Sequence, residues 1–331
     1  MHLCFVTHGY APQQGGTETF VQAMAEEAVG RGITVTVYTQ NGEPRALNGV
    51  QIETSPNCLT TRVYNLIIVH SADGRPQCTT LTNAAIIPSP ILYLIIHPQV
   101  YAGVSDVALA HVAYAGCSTT ADWRFLETCG QRPKGRFVRH SVSLASSIGT
   151  PGVFRKKFGI TTRKMFLSCG GFQEHKGMSV LAHVFRAIPS ALRADVTLVL
   201  TGYRTAPIMP EEGDGVRVLH LADKADVADA MADADLYIMN SAYEGFGLVL
   251  LESMLNKLPW LARSSVAGAV EMRDWGQLFD NAGELDVSLR SAISMSISDG
   301  IRIRTNADAF EYAVNNRLTK NTIDDILAII S

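Results

Sequence analysis

The stretch on which the reading turns is Tyr243–Glu252, YEGFGLVLLE. It follows Leu236-Tyr237-Ile238-Met239, an apolar run of the length and character of a buried strand. Gly245 and Gly247 stand one residue apart, and an apolar helical start comes after them. A helix beginning near Phe246 or Gly247 puts Glu252 in its second turn and leaves Glu244 in the loop before it. Two carboxylates then flank a helix N-terminus. Its unpaired backbone N–H groups and the positive end of its dipole suit a phosphate or a sugar hydroxyl. Glycines let that backbone come close to a ligand. The same letters also spell a tight strand-to-helix turn with two surface glutamates, a common feature of α/β proteins.

Upstream, the order strand, glycine loop, helix recurs. Lys164–Cys169 reads as a strand, Gly170-Gly171-Phe172-Gln173-Glu174-His175-Lys176-Gly177 as a loop, and Met178–Ile188 as a helix. Strands follow at Val196–Thr201, which runs into Gly202-Tyr203, and at Val216–Leu219, Leu236–Asn240 and Trp260–Ala262. Helices fall at Asp226–Ala232 and Gly247–Leu255. The amino-terminal half opens in the same way, with strand Leu3–Thr7, loop His8–Gly16, helix Thr17–Arg31 stopped by Gly32, and strand Ile33–Thr39. Further strands read at Val50–Glu53, Tyr64–His70, Ile91–His97, Ala113–Cys117 and Arg136–Arg139, with a helix at Thr119–Cys129.

Residues 143–150 are small and mostly polar, with Pro151-Gly152 behind them, and read as an interdomain linker; residues 307–330 read as one or two helices. The expected division is a first α/β domain over 1–145, a second over 146–305, and carboxyl-terminal helices over 306–331. In open α/β sheets ligands bind beyond the carboxyl ends of the strands, where both glycine loops fall. The first loop lacks the G-x-G-x-x-G pattern, and Gln40-Asn41 stand where an acidic residue would close the second strand, which disfavours a nicotinamide dinucleotide. Two separately started halves make the space between them the default ligand site.

The whole-chain numbers bound the class. With 331 residues, 47% hydrophobic and 18% charged, the chain has material for two cores and is unlike a disordered protein. A net charge of -3 argues against a broad nucleic-acid binder. The six cysteines, at 4, 58, 78, 117, 129 and 169, form no C-x-x-C pair and read as reduced thiols of a cytoplasmic protein. Met1–Val6 reads as a strand rather than a signal peptide, and the apolar run 86–96 is interrupted by Pro88 and Pro90 and too short to span a bilayer.

Taken together, these motifs resemble family 4 retaining glycosyltransferases of the GT-B fold. Pro12-Gln13-Gln14-Gly15-Gly16-Thr17-Glu18 looks like their Gly-Gly loop, Gly170–Gly177 like their "GR…KG" loop, and Glu244–Glu252 like their E-x7-E element. Lys257-Leu258-Pro259, Ser264–Glu271 and Ala115-Gly116-Cys117-Ser118 agree in outline. The resemblance covers nearly the whole chain, and EGFGL inside the E-x7-E is its most specific part. It implies two Rossmann-like domains facing across a cleft, with the carboxyl-terminal helices packing back on the first. It also implies a sugar moved with retained configuration from a nucleotide-sugar, UDP- or GDP-linked, to a glycan, lipid-linked or small-molecule acceptor. The setting would be polysaccharide or glycoconjugate biosynthesis, with no metal and no cofactor apart from the donor itself.

Carried over by position, the resemblance gives Glu252 to the ribose and Glu244 to the donor sugar. The loop Gly245, Phe246, Gly247 and Leu248 goes to diphosphate or sugar hydroxyls. Lys176 goes to the diphosphate, Gly15 and Gly16 to a loop closing over the phosphates, and His97 to the donor sugar as the active-site histidine. Tyr203 joins the donor-binding set. These roles fit the chemistry, because breaking a sugar–phosphate bond leaves an anionic diphosphate that a cation and amide donors stabilise. Gly171 departs from the family's arginine, with Arg204, Arg139 and Arg263 as substitutes to consider. His140-Ser141-Val142-Ser143 stands in place of an "NG" turn.

Several residues carry two readings. His70 and His8 are a strand-end and a loop histidine, or site residues. Asp233-Ala234-Asp235 mimics a metal-binding D-x-D but falls between a helix and a strand, where capping serves as well. The basic run from Arg132 to Lys164 is a solvated face, or one that meets anionic lipids at the inner membrane face. The leading function is a glycosyltransferase of hexosyltransferase type. Another GT-B enzyme, such as an epimerase or a phosphorylase-like protein, ranks behind it, and a catalytically impaired nucleotide- or sugar-binding protein is the alternative from a different class.

Overall fold

The computed structural model describes residues 1–12, 15–70, 80–95, 109–202, 209–221, 223–294 and 306–331. The chain forms two compact units, Met1–Val142 with Arg317–Ser331, and Ser143–Asn316.

The first unit is built on an eight-stranded sheet: β1 (His2–Val6), β2 (Thr34–Tyr38), β3 (Arg45–Leu47), β4 (Val50–Glu53), β5 (Leu66–His70), β6 (Ile91–Leu94), β7 (Tyr114–Cys117) and β8 (Gly135–Phe137). The spatial order is β3-β4-β2-β1-β5-β6-β7-β8, and every pairing is parallel except β3 with β4. The central strands are continuous apolar runs because both faces are covered; all five residues of β5 are buried. Helix Gly16–Gly30 follows β1 and buries Phe20, Val21, Met24, Ala25 and Ala28 along one face. Helix Thr120–Thr128 is held by a capping box between Thr119 and Asp122.

The second unit holds β9 (Lys164–Cys169), β10 (Val196–Gly202), β11 (Val216–His220), β12 (Leu236–Met239), β13 (Trp260–Arg263) and β14 (Gln277–Phe279). They run in the order β11-β10-β9-β12-β13-β14, all parallel. In chain order within the unit this is 3-2-1-4-5-6, the Rossmann arrangement, and the parallel strands of the first unit repeat it around β1 and β5.

Several elements go beyond those the periodicity predicts, β3, β14 and helix Ala282–Ser294 among them. β3 turns into β4 through Asn48 (φ 51°) and Gly49 (φ 80°), two left-handed residues of the kind an Asn-Gly hairpin needs. β14 is only three residues long. Helix Ala282–Ser294 buries Leu285, Leu289, Ala292 and Ile293. Its carboxyl end is met by Lys164, whose Nζ donates to the carbonyls of Ala292 and Ile293 at 2.7 and 3.0 Å.

The tail forms two helices that belong to different units. Asn306–Asn316 packs on helix Leu248–Leu255 in the second unit, where Tyr312 stacks on Trp275. Thr319–Ile330 packs on helix Gly16–Gly30 in the first, fastened by Arg31–Asp324 and Arg139–Asp325 ion pairs. The stretch 143–150 contains a short helix, Leu144–Ser147. It is tied to the second unit: Gly149 N donates to Asn256 Oδ1, and Asn256 Nδ2 to the Ser147 carbonyl.

Candidate functional site

Between β9 and β12 the second sheet changes direction, since the chain leaves β9 towards β10 and leaves β12 towards β13. The loops that follow these two strands diverge to either side and leave a crevice at their carboxyl ends. One loop is Gly170–Gly177, running into helix Met178–Ala187; the other is Asn240–Gly247, running into helix Leu248–Leu255.

The two loops are bound to each other. Asn240 Nδ2 donates to the Gly177 carbonyl at 2.8 Å, and the Ala242 N–H donates to the His175 carbonyl at 2.7 Å. The His175 ring stacks on Tyr243 with centroids 4.6 Å apart. Gly177 is left-handed (φ +64°), and a Cβ there would lie 2.4 Å from the Asn240 carbonyl oxygen, so both conformation and space call for glycine. Gly247 is also left-handed (φ +90°) and starts helix Leu248–Leu255, which no side chain caps. Its first N–H groups therefore keep the capacity to meet an anion or a hydroxyl.

Lys176 Nζ lies 2.6 Å from Glu244 Oε1, and Ser241 Oγ donates to the same oxygen at 2.6 Å. Glu244 Oε2 carries no hydrogen bond among the described residues. Glu252, in the second turn of the helix, is 13% exposed at its side chain and faces Lys224 Nζ at 3.8 Å. Burial pushes its carboxyl above the ordinary range, with the Lys224 charge pulling the other way. Burial and the Lys176 charge hold His175 below its ordinary value, so its imidazole is neutral at neutral pH. Burial raises the thiol of Cys169, the last residue of β9, and that thiol senses Glu252, Lys176 and Glu244 together. One cation and two carboxylates thus converge where β9 ends.

Of the residues expected at a site, Gly171, Lys176, Glu244, Gly245, Phe246, Gly247, Leu248 and Glu252 all lie on these two loops or the helix start between them. Gly15 and Gly16 stand in the first unit, before and at the start of helix Gly16–Gly30; a Cβ at Gly16 would meet nothing within 4 Å. His97, Tyr203 and Arg204 lie outside the described residues. Arg139 is engaged elsewhere: its guanidinium makes two hydrogen bonds to Asp325 in the first unit. Arg263 ends β13, the strand beside β12.

Sequence reasoning missed Lys224 and Ser241. Ser241 lies three residues before Glu244, whereas no local pattern connects Lys224 to Glu252. In the first unit His70, at the end of β5, and His140 are both buried and flank Phe20, with ring centroids 4.7 and 5.3 Å from it.

The D-x-D look-alike is structural. Asp233 accepts from the backbone N–H groups of Gly152 and Arg155, and Asp235 accepts from Arg155 Nη2 and the Met165 N–H. Among the described residues no group of three His, Cys, Asp or Glu side chains is placed to hold a metal ion, and no helix is long and apolar enough to cross a membrane. Within the basic run, Arg132 pairs with Glu127, Lys157 with Asp226, and Arg163 with Asp195.

Two Rossmann-like units, with a charged crevice at the switch point of the second, are the architecture of the GT-B fold. Residues 153–277, all in the second unit, match the family described as glycosyl transferases group 1. No curated protein sequence matches the chain. Solved structures agree in fold. The chain is similar to WaaG, a glycosyltransferase involved in lipopolysaccharide biosynthesis, at 17% identity and a TM-score of 0.75, covering 99% of each chain. It is similar to Anabaena Alr3699/HepE in complex with UDP-glucose at 16% identity and a TM-score of 0.76, covering 100% of this chain and 99% of that one. For the trehalose-6-phosphate synthase OtsA the values are 10% identity and a TM-score of 0.79, with coverage of 100% and 99%.

Proposed function

We propose that this protein is a retaining glycosyltransferase of the family 4 type. It takes a hexosyl unit from a nucleotide-sugar and passes it to a saccharide, lipid-linked or small-molecule hydroxyl without a metal ion. The observation that carries this reading is the convergence of Lys176, Glu244 and Glu252 at the β9/β12 crevice, inside the segment that matches the group 1 family. In this reading Glu252 accepts hydrogen bonds from the ribose hydroxyls. The free Oε2 of Glu244 takes a hydroxyl of the donor sugar. Lys176 and the uncapped start of helix Leu248–Leu255 receive the diphosphate.

The reaction breaks the bond between the anomeric carbon and the diphosphate oxygen and forms one from that carbon to the acceptor oxygen. Attack comes from the face the diphosphate leaves, and the acceptor proton passes to the departing phosphate oxygen. Charge grows on the diphosphate as the bond stretches. A fixed ammonium and aligned N–H groups stabilise that charge more than the ground state. The HepE complex with UDP-glucose supports a UDP-sugar as the first donor to test. The site of action is the cytoplasm, with a lipid-linked acceptor placing the protein at the inner membrane face.

Calorimetry with UDP, GDP and ADP, followed by turnover of the corresponding sugar donors over mixed acceptors, tests the reading. Binding of one nucleoside diphosphate with sugar transfer is the expected result, and no binding of any of them refutes it. Gly171, which offers no side chain to a phosphate, favours a second reading, a binding protein without transfer activity. That reading predicts tight nucleotide binding and no turnover.

A further inference from the structure

Gly170 and Gly171 follow β9 into the crevice, and each has a polar side chain lying over it. The Lys176 stem passes over Gly170, with Cδ and Cε 3.9 Å from where a Cβ would stand. Over Gly171 lies the carboxamide of Gln173, with Oε1 2.0 Å and Nε2 2.7 Å from the Cβ position. Gly171 does not have a left-handed backbone, so its own conformation does not call for glycine. A Cβ there would have to push the Gln173 amide aside. Gln173 Oε1 is also a buried polar atom with no hydrogen-bond partner among the described residues. A buried acceptor left unmade costs on the order of 1–3 kcal/mol, and such atoms are rare in folded proteins. Turning the carboxamide by 180° exchanges its two ends with no change of shape, so the same group can offer N–H donors.

We propose that Gln173 is a phosphate-recognition residue of this site, with Gly171 present to leave room for its carboxamide. The inference rests on the nucleotide-sugar reading and specifies how the diphosphate is held: by one cation, Lys176, and one neutral amide, side by side over two glycines. The ammonium of Lys176 is shared with Glu244, whereas the amide has no such engagement. With the carboxamide turned, its Nε2 donates to a diphosphate oxygen on binding, at the position that has no hydrogen-bond partner in the free protein.

The test compares wild type, Gln173→Ala, Gly171→Ala and the double variant by calorimetry. The ligands are whichever of UDP, GDP and ADP the wild type binds most tightly and, by competition, the corresponding nucleoside. Gln173→Ala is expected to weaken the diphosphate about tenfold or more, the loss of a hydrogen bond to a charged group, and to leave the nucleoside unchanged. Gly171→Ala, by displacing the amide, gives the same pattern, and the double variant is no weaker than either single one. Equal diphosphate affinity in wild type and Gln173→Ala overturns the inference alone, as does an equal loss for diphosphate and nucleoside. A wild type that binds none of the three diphosphates overturns the nucleotide-sugar reading, and this inference with it.

Discussion

Replacing Glu252 by Gln should move two measurable quantities in opposite directions. The Glu252 carboxylate is largely buried, with its nearest cation among the described residues, Lys224 Nζ, at 3.8 Å, beyond hydrogen-bond contact. At that separation and an effective dielectric constant of about 20, the gross attraction is roughly 4 kcal/mol. Burial nevertheless raises the carboxyl pKa, so desolvation outweighs the attraction. A group held above its unfolded value adds stability when protonated, and that contribution is lost as pH rises through the raised value. Once ionised, Glu252 is therefore a net cost to the ligand-free fold, and Gln removes it. Lys224 keeps its contact with Ser146 Oγ and is 30% exposed, so losing its partner costs it little.

Ligand binding shows the reverse. Accepting from ribose hydroxyls through a carboxylate is worth about 1.5–3 kcal/mol, so Glu252→Gln should weaken nucleotide binding roughly tenfold to a hundredfold. Differential scanning fluorimetry reads both effects. The ligand-free melting temperature at pH 7.5 should hold or rise. At nucleotide about 100 times the wild-type Kd, the wild-type stabilisation of roughly 2.7 kcal/mol should fall to about half or less. Lowering the pH from 7.5 towards the ordinary carboxylate range should weaken nucleotide binding by wild type and should do so less for the variant. A lower ligand-free melting temperature together with unchanged nucleotide affinity would refute the placement of Glu252 as a desolvated ribose acceptor.

Three further outcomes follow from the same geometry. Glu244→Ala should lower turnover while keeping nucleotide affinity, because the proposed function gives its free oxygen to the donor sugar; isothermal calorimetry beside a turnover assay checks this, and equal loss of affinity in Glu244→Ala and Glu252→Ala would show that the two acids do not divide the work. Lys176→Met removes the charge-assisted bond to Glu244 and should cost about 1.5–3 kcal/mol in urea unfolding, with part of the loss recovered when Glu244→Gln is added. Gly177→Ala should cost at least 1–2 kcal/mol, for a left-handed backbone, with more from the clash with the Asn240 carbonyl; an unchanged denaturation midpoint would mean that the two loops are not locked as described.

Much of the fold was legible because its signals are local. A parallel strand covered on both faces must be apolar along its length, and β5, β9 and β10 announce themselves in that way. The helix starts at Gly16 and Leu248 were marked by glycines. Asn48-Gly49 carried an equally local hairpin signal, but the three-residue strand before it is too short for periodicity to detect. The tail read as helical, yet the amphipathic pattern of a helix names no partner. The packing that sends Asn306–Asn316 to one unit and Thr319–Ile330 to the other rests on contacts with residues far away in the chain.

The site divides along the same line. Glu244 and Glu252 at either side of a helix start, and Lys176 at the end of a glycine loop, are spacings within one segment, and local letters were enough to place them. That Lys176 shares its charge with Glu244 depends on 3-2-1-4-5-6 strand order, which sets β9 beside β12 although two strands and three α-helices intervene in the chain. The same holds for Lys224 opposite Glu252. For Gln173 over Gly171 the two letters are only two residues apart. Which way the side chain turns, and that its amide is left without a partner, are consequences of packing that no spacing encodes.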